Sequence, residues 1–286
     1  MIPNTHCCRN FKVFYLVILS LIIGACRTGF PASEPMPEQG AQCVYNQAYQ
    51  ENYAADSLEL ILEEAQDCYV LVDPFSDDGE VLDVIPLMQS QGNSVGCYFS
   101  IGTGETWRDD FSLLDPDLVD EAWAEWEDEF FIREISPNVV SVMQVRIDKM
   151  ATWGCDWVEF DNMDWALDDS ARQDYQIEVT ESEAIDYYQG LCETVHQKGM
   201  LCMAKSTRVG AEKFDGITVE SSRKTLNWWG NETLQKFLDE DKLAIIVHYK
   251  ERDCDGMYSN YLSQYAGGLS FICEDRSSKS YRHFNE

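Results

Sequence analysis

The chain has 286 residues, 45% of them hydrophobic, with 51 acidic against 21 basic side chains and a net charge of −30. That length holds one large domain or two small ones. The charge repels nucleic acid and anionic lipid and attracts cations, so a nucleic-acid partner is excluded and a cationic one fits, as does a surface adapted to solubility or salt. From the N-terminus, Arg9 and Lys12 stand at the head of FKVFYLVILSLIIGAC, an apolar run too short to span a bilayer. This is the layout of a secretory signal peptide, placed at residues 1–25.

Ile23-Gly24-Ala25-Cys26 also has the form of a bacterial lipobox, in which Cys26 becomes the lipidated first residue of the mature chain. Ordinary cleavage nearby and an uncleaved anchor are the alternatives. Residues 26–40, rich in Pro, Gly and small polar types, have little to bury and read as a tether. A single folded domain is expected over 41–286, monomeric and outside the cytoplasm, touching membrane only through the lipid. Beyond Cys26 stand Cys43, Cys68, Cys97, Cys155, Cys192, Cys202, Cys254 and Cys273, an even set suited to disulfides in an oxidising compartment. Cys254–Cys273 is the preferred bridge, while Cys97 and Cys202, inside apolar runs, fit buried free thiols best. Without CxxC spacing and with His scarce, no zinc site is expected, and no other metal or cofactor.

Eight β-favouring runs follow: CVYNQAY (43–49), YVLVDP (69–74), SVGCYFSI (94–101), DWVEFD (156–161), MLCMAKS (200–206), GITVES (216–221), LAIIVHY (243–249) and GLSFIC (268–273). Helical spacing lies between them, at 57–63 and at 183–197, where Ala184, Tyr187, Tyr188, Leu191 and Val195 form an apolar stripe. Asp115-Pro116 and Ser136-Pro137 mark helix starts, and Gly199 a stop. EAWAEWEDEF, in the longest connection, reads as a solvated amphipathic helix. The alternation predicts an α/β fold, a single-domain (β/α)8 TIM barrel. A doubly wound sheet is the runner-up, but no GxGxxG is present, and the two glycines of Ile101-Gly102-Thr103-Gly104-Glu105 are a weak phosphate cradle.

Barrel chemistry sits at the C-terminal strand ends. Those ends carry Asp73, Glu105, Asp161, Lys205, Glu220 and Tyr249. In DWVEFD the period of two puts Trp157, Glu159 and Asp161 on one face and Val158 and Phe160 on the other. With the apolar pair against the helices, Glu159 and Asp161 point inward, where a charge needs a partner. Lys205 is the expected one, forming a Glu159/Asp161–Lys205 cluster that favours the charged form of Asp161. Two carboxylates across a cleft are the machinery of glycoside hydrolysis. Asp161 suits the nucleophile or base and Glu220 the proton donor, with Arg223 near Glu220 in sequence as a complication. Glu159 reads as an orienting residue, and Asp164 as lining the cleft or capping the next segment. Trp107, Trp165, Trp228 and Trp229 all follow strand ends, and one or two are expected to stack on sugar rings. The acidic run DNMDWALDD lacks the order and glycine of a calcium loop.

CYFSIGTGETWRDDF, GCDWVEFDNMDW, HQKGMLCMAKS, DGITVESS and IIVHYKE occur in the order and spacing of glycoside hydrolase family 114, which the chain resembles from Cys43 to Cys273. The resemblance implies a barrel that cuts α-1,4-linked galactosamine polymers, with Asp161 and Glu220 as the catalytic pair. It implies Asp73, Glu105, Arg108, Lys205 and Tyr249 around the substrate, where the residues read by themselves also place Asp164 and Trp165. A partly deacetylated polymer of this kind is a cationic amino-sugar polysaccharide, which gives the −30 charge a purpose. A non-catalytic polysaccharide-binding barrel is the alternative. It is motivated by three departures: Lys205-Ser206 where the family usually has Lys-Asn, Ser221 and Ser222 after Glu220, and His248-Tyr249 where Glu-Tyr is common.

Overall fold

The computed structural model describes residues 42–49, 54–75, 79–265 and 268–284. The expected signal segment, Cys26 and the tether lie outside these residues. The β-favouring runs become eight parallel strands. They are β1 (Val44–Asn46), β2 (Tyr69–Val72), β3 (Ser94–Ser100) and, after a hairpin of β4 (Thr103–Glu105) and β5 (Glu129–Phe131), β6 (Trp157–Asp161), β7 (Leu201–Lys205), β8 (Gly216–Ser221), β9 (Leu243–Glu251) and β10 (Leu269–Asp275). A ninth, β11 (Ser280–Phe284), returns antiparallel along β10. Order in the sheet follows order in the chain, β1-β2-β3-β6-β7-β8-β9-β10-β11, which is the barrel winding. Side chains close the seam between its two edges. Gln42 N–H donates to Ser270 Oγ at 3.0 Å, and His283 of β11 stacks on Tyr45 at 4.2 Å while its Nδ1 donates to the Val44 carbonyl at 2.6 Å.

The helices are α1 (Leu58–Glu64), α2 (Glu80–Ser90), α3 (Phe111–Leu114), α4 (Pro137–Trp153), α5 (Asp169–Asp174), α6 (Glu181–Gln197), α7 (Asn231–Asp239) and α8 (Cys254–Leu262). Five of these starts, those of α1, α4, α5, α6 and α8, are side-chain capped. Ser57 caps α1, Ser136 caps α4 with Pro137 in its first turn, and Thr180 with Glu183 forms a capping box on α6. Asp115-Pro116 opens only a single 3-10 turn, and β7 reaches β8 through another, Ala211–Lys213, in place of a helix. EAWAEWEDEF is not helical. Trp123 bridges to Trp126 and packs on Phe131 at 4.9 Å, and in β5 Glu129 and Phe131 turn inward while Phe130 is half-buried. Its inward residues follow the strand period of two, not 3.6.

Two apolar layers result. Val158 and Phe160 join the layer between sheet and helices, while Trp157, Tyr49, Tyr98, Met203 and Tyr249 fill the barrel interior. Gly96 makes room for the Trp157 indole, since a Cβ there would fall 2.2 Å from the ring.

Three disulfides form: Cys43–Cys68, Cys97–Cys155 and Cys254–Cys273, leaving Cys192 and Cys202 buried and free. The expected terminal bridge and the expected free Cys202 are present. Cys97 differs from expectation because it leaves β3 on the outer face, where Cys155 meets it after α4. This bridge spans 58 residues of sequence that include the β4–β5 hairpin. A closed loop of that size contributes about 4 kcal/mol in the chain-entropy account. The double variant Cys97→Ala/Cys155→Ala is therefore expected to lose roughly 8–15 °C in Tm by calorimetry. An unchanged Tm would mean that packing alone holds the hairpin.

Candidate active site

At the C-terminal end of the barrel the strand ends converge on Lys205. Its Nζ donates to Asp161 Oδ2 at 2.9 Å and lies 3.3 Å from Glu220 Oε2, with the Tyr49 ring 4.2 Å away. Lys205 is 5% exposed, so this ammonium is desolvated and compensated by two carboxylates and an aromatic face. Each carboxylate has further donors. Tyr98 O–H donates to Asp161 Oδ2 at 2.6 Å, and the Asn162 backbone N–H to Oδ1 at 2.7 Å. Tyr249 O–H donates to Glu220 Oε1 at 2.5 Å, and Ser206 O–H to Oε2 at 3.2 Å. Asp161 and Glu220 are thus held rigidly by groups from β3, β6, β7 and β9. Glu220 is the more open, its side chain 28% exposed against 12% for Asp161.

Glu159 departs from the expected ion pair. It accepts from Tyr49 O–H at 2.5 Å and from Thr218 O–H, below Asp161 in the barrel. Burial pushes its carboxyl up to about 7, against the nearby Lys205 charge and both hydroxyls. Glu105 and Arg108 form a second centre. The Arg108 guanidinium donates to both Glu105 oxygens at 2.8 Å and to Asp73 Oδ1 at 2.6 Å. Arg146 of α4 flanks it, 3.9 Å from Glu105 and bidentate on Asp110. Asp73, its side chain 14% exposed, stands outermost, and Arg108 and Glu105 are buried behind it, each holding the next.

Asp164 is exposed at the cleft, with the Asp161 charge beside it raising its carboxyl. Trp165 requires a correction. It is 2% exposed, its indole N–H donates to the Ile132 carbonyl at 3.0 Å, and it packs against Tyr187, so it is core and not a sugar platform. Trp229 is likewise buried. Trp228 and Trp107 are half-buried, and Trp228 N–H donates to the Glu220 carbonyl at 2.7 Å.

The departures from the family pattern fall mostly outside the cleft. His248 is fully buried on the outer side of β9, against Glu251 at 3.3 Å and Tyr261. Ser221 faces Tyr261 at 2.8 Å, and Arg223 pairs with Glu251 at 2.6 Å. Only Ser206 touches the pair. Tyr49, Tyr98, Thr218, Asn162 and Glu129 join the site without having been singled out in the sequence. For Tyr98 the signal was present, since period two places it on the inward face of SVGCYFSI.

Glu129 is also pushed up, to about 8, first by burial and then by the Glu105 charge. Glu129 and Glu159 thus keep protons in the folded chain that the unfolded chain releases near 4.5. Where the folded state binds more protons, stability falls as pH rises. Tm is therefore expected to decline between pH 5 and pH 8, and Glu159→Gln, which titrates nothing, to decline less. A Tm that rises over this range, or an equal slope in the variant, contradicts the assignment.

Among the described residues no group of three or more His, Cys, Asp or Glu is placed to hold a metal ion, and no helix is long and apolar enough to cross a membrane. No curated protein sequence matches the chain. Among solved structures it is similar to Ega3 of Aspergillus fumigatus in complex with galactosamine, with TM-score 0.68 and 21% identity over 88% of this chain and 98% of that one. The glycoside hydrolase domain of PelA from Pseudomonas aeruginosa matches with TM-score 0.61 and 13% identity over 86% and 98%. At such identities the likeness speaks for the fold. The profile of glycoside-hydrolase family GH114 matches residues 39–285, all of the folded region: this chain belongs to that family.

Proposed function

We propose that the protein is an exported glycosidase that cleaves α-1,4-linked galactosamine-containing polysaccharide, with Asp161 as nucleophile and Glu220 as proton donor. The observation that carries this reading is the single ammonium of Lys205 in contact with both carboxylates. Their nearest oxygens can be no further apart than these two contacts laid end to end. A pair bridged by one ammonium sits close together, and we take it as a retaining pair, in which the second carboxylate attacks the sugar directly.

Glu220 gives its proton to the glycosidic oxygen as the bond to the anomeric carbon breaks, and Asp161 Oδ attacks that carbon to form a glycosyl ester. Glu220, now a carboxylate, takes a proton from water, which displaces Asp161 and releases the sugar with its original anomeric configuration. Asp73, held by Arg108, binds the chain with Asp164 and Tyr249, and Trp228 offers a stacking face beside the acid. The galactosamine of the Ega3 complex and the −30 charge both suit a cationic amino-sugar polymer. Three disulfides suit an oxidising compartment, with Cys26 as the lipid attachment point.

The test is reducing-end release from partly deacetylated α-1,4-galactosaminan, with the anomeric configuration of the first product followed by NMR. Release of α-configured ends supports the reading, and β-configured ends overturn retention. Tight binding with no cleavage by folded protein supports the polysaccharide-binding alternative.

A further inference from the structure

Beneath Asp161 lies a buried polar network that the proposed chemistry does not use. Thr103 O–H donates to Glu129 Oε2 at 2.7 Å, and Ser100 Oγ lies 2.6 Å from Thr103 Oγ1. The Asn162 amide Nδ2 reaches all three, at 3.0 Å to Ser100 Oγ, 3.2 Å to Thr103 Oγ1 and 3.3 Å to Glu129 Oε2. Every member is at most 9% exposed. Ser100 Oγ also accepts from the Thr103 backbone N–H at 3.1 Å. With that bond and the Asn162 amide filling both of its lone pairs, the Ser100 hydroxyl must donate onward to Thr103, and Thr103 to Glu129. The donors therefore run one way, from β3 to the hairpin, and Glu129 Oε2 terminates them.

Asn162 has φ +54, a left-handed turn that costs a side-chain-bearing residue about 1 kcal/mol. Its backbone N–H donates to Asp161 Oδ1, 2.7 Å away, at the start of that turn. Gly102 belongs to the same construction, since a Cβ there would fall 2.1 Å from the Asn162 carbonyl. A hairpin strand has no packing need for a carboxyl at this point. Two residues on, Phe131 fills the same face. A carboxyl buried here is costly unless it serves a purpose.

We infer that Glu129, although on the hairpin outside the barrel, is a positioning residue for Asp161: through Asn162 it fixes the backbone donor that orients the nucleophile. The inference rests on the catalytic role proposed for Asp161, and its test separates the two. Glu129→Ala and Asn162→Gly, which keeps the left-handed turn but loses the amide, are each expected to lower kcat about 10- to 100-fold. KM should stay within about twofold, the signature of misplacement instead of lost binding. The double variant should be no slower than the worse single, because both cut one linkage. Glu129→Gln keeps an acceptor oxygen and should recover most of kcat.

Additive losses in the double variant, or an unchanged kcat in folded Glu129→Ala, overturn the inference. If Glu129→Ala does not fold, Thr103→Val cuts the same chain of bonds and enters the cycle in its place. Hydrogen exchange at the Asn162 amide needs no substrate. It should quicken at least about tenfold in Glu129→Ala or Thr103→Val, as a released local structure does. Unchanged exchange overturns the inference even in a protein without activity, and an inactive wild type counts against the proposed function alone.

Discussion

Asp161→Asn is expected to lower kcat on the polymer by about 10⁴-fold or more, and Glu220→Gln by about 10²–10⁴-fold, with both proteins folded. The amides are near-isosteric, so the Tyr98 and Tyr249 hydroxyls keep an acceptor, and what is lost is chemistry. The two losses should differ in kind. An aryl glycoside with an acidic phenol departs without a proton, so Glu220→Gln should regain most of the first step on it. Asp161→Asn should regain nothing, because no leaving group substitutes for a nucleophile. Azide, which attacks without a base, should then rescue Glu220→Ala by giving a glycosyl azide of retained configuration. If Asp161→Asn responds to the leaving group and Glu220→Gln does not, the roles are exchanged. If both variants cut the polymer at wild-type rate, the chemistry lies elsewhere.

The barrel was legible because its strands are apolar, short and evenly spaced, and all eight expected runs contain one. The inward set was legible where period two is unbroken, as from Trp157 to Asp161. Partners were harder. Lys205 was expected to hold Glu159 and Asp161, and it holds Asp161 and Glu220. Lys205 is already paired with Thr218 of β8, and the turn after it sets Ser206 at φ +49 beside the end of that strand, an adjacency with no trace in local spacing. Left-handed residues also follow Asp161 and Tyr249, at Asn162 and Lys250. An Asn at such a position is favoured for its tolerance of this turn, and Ser206 adopts the turn without that advantage. The β4–β5 hairpin was misread because its charged residues mask a period of two, and Glu129 was missed with it. Trp165 was misread because following a strand end does not determine which way an indole turns. Here the Ile132 carbonyl takes its N–H and draws it into the core.

Lys205→Met should have the second large effect, and it tests the arrangement as a whole. Methionine keeps the length and apolar stem of the side chain, so the interior around Tyr49 and Tyr98 stays filled. The ammonium is removed from between two carboxylates that then face each other with only neutral donors. Losing one partner of a buried pair costs about 3–5 kcal/mol, and here Asp161 loses its ammonium partner while the Glu220 carboxyl loses its neighbour. At pH 7 a Tm lower by about 6–15 °C is expected, together with a kcat reduced about 10²–10³-fold as a positioned charge leaves the site. Lys205→Arg should not restore it. A planar guanidinium cannot take the place of a compact ammonium 2.9 Å from one carboxylate, 3.3 Å from the other and 4.2 Å above the Tyr49 ring. A Lys205→Met protein with kcat within about fivefold of wild type would leave the tyrosine hydroxyls alone to set the pair, far less than the lost charge should cost. A collapse in kcat alongside an unchanged Tm would mean instead that the cavity relaxes around the missing charge and that the two carboxylates separate, taking the retaining geometry with them.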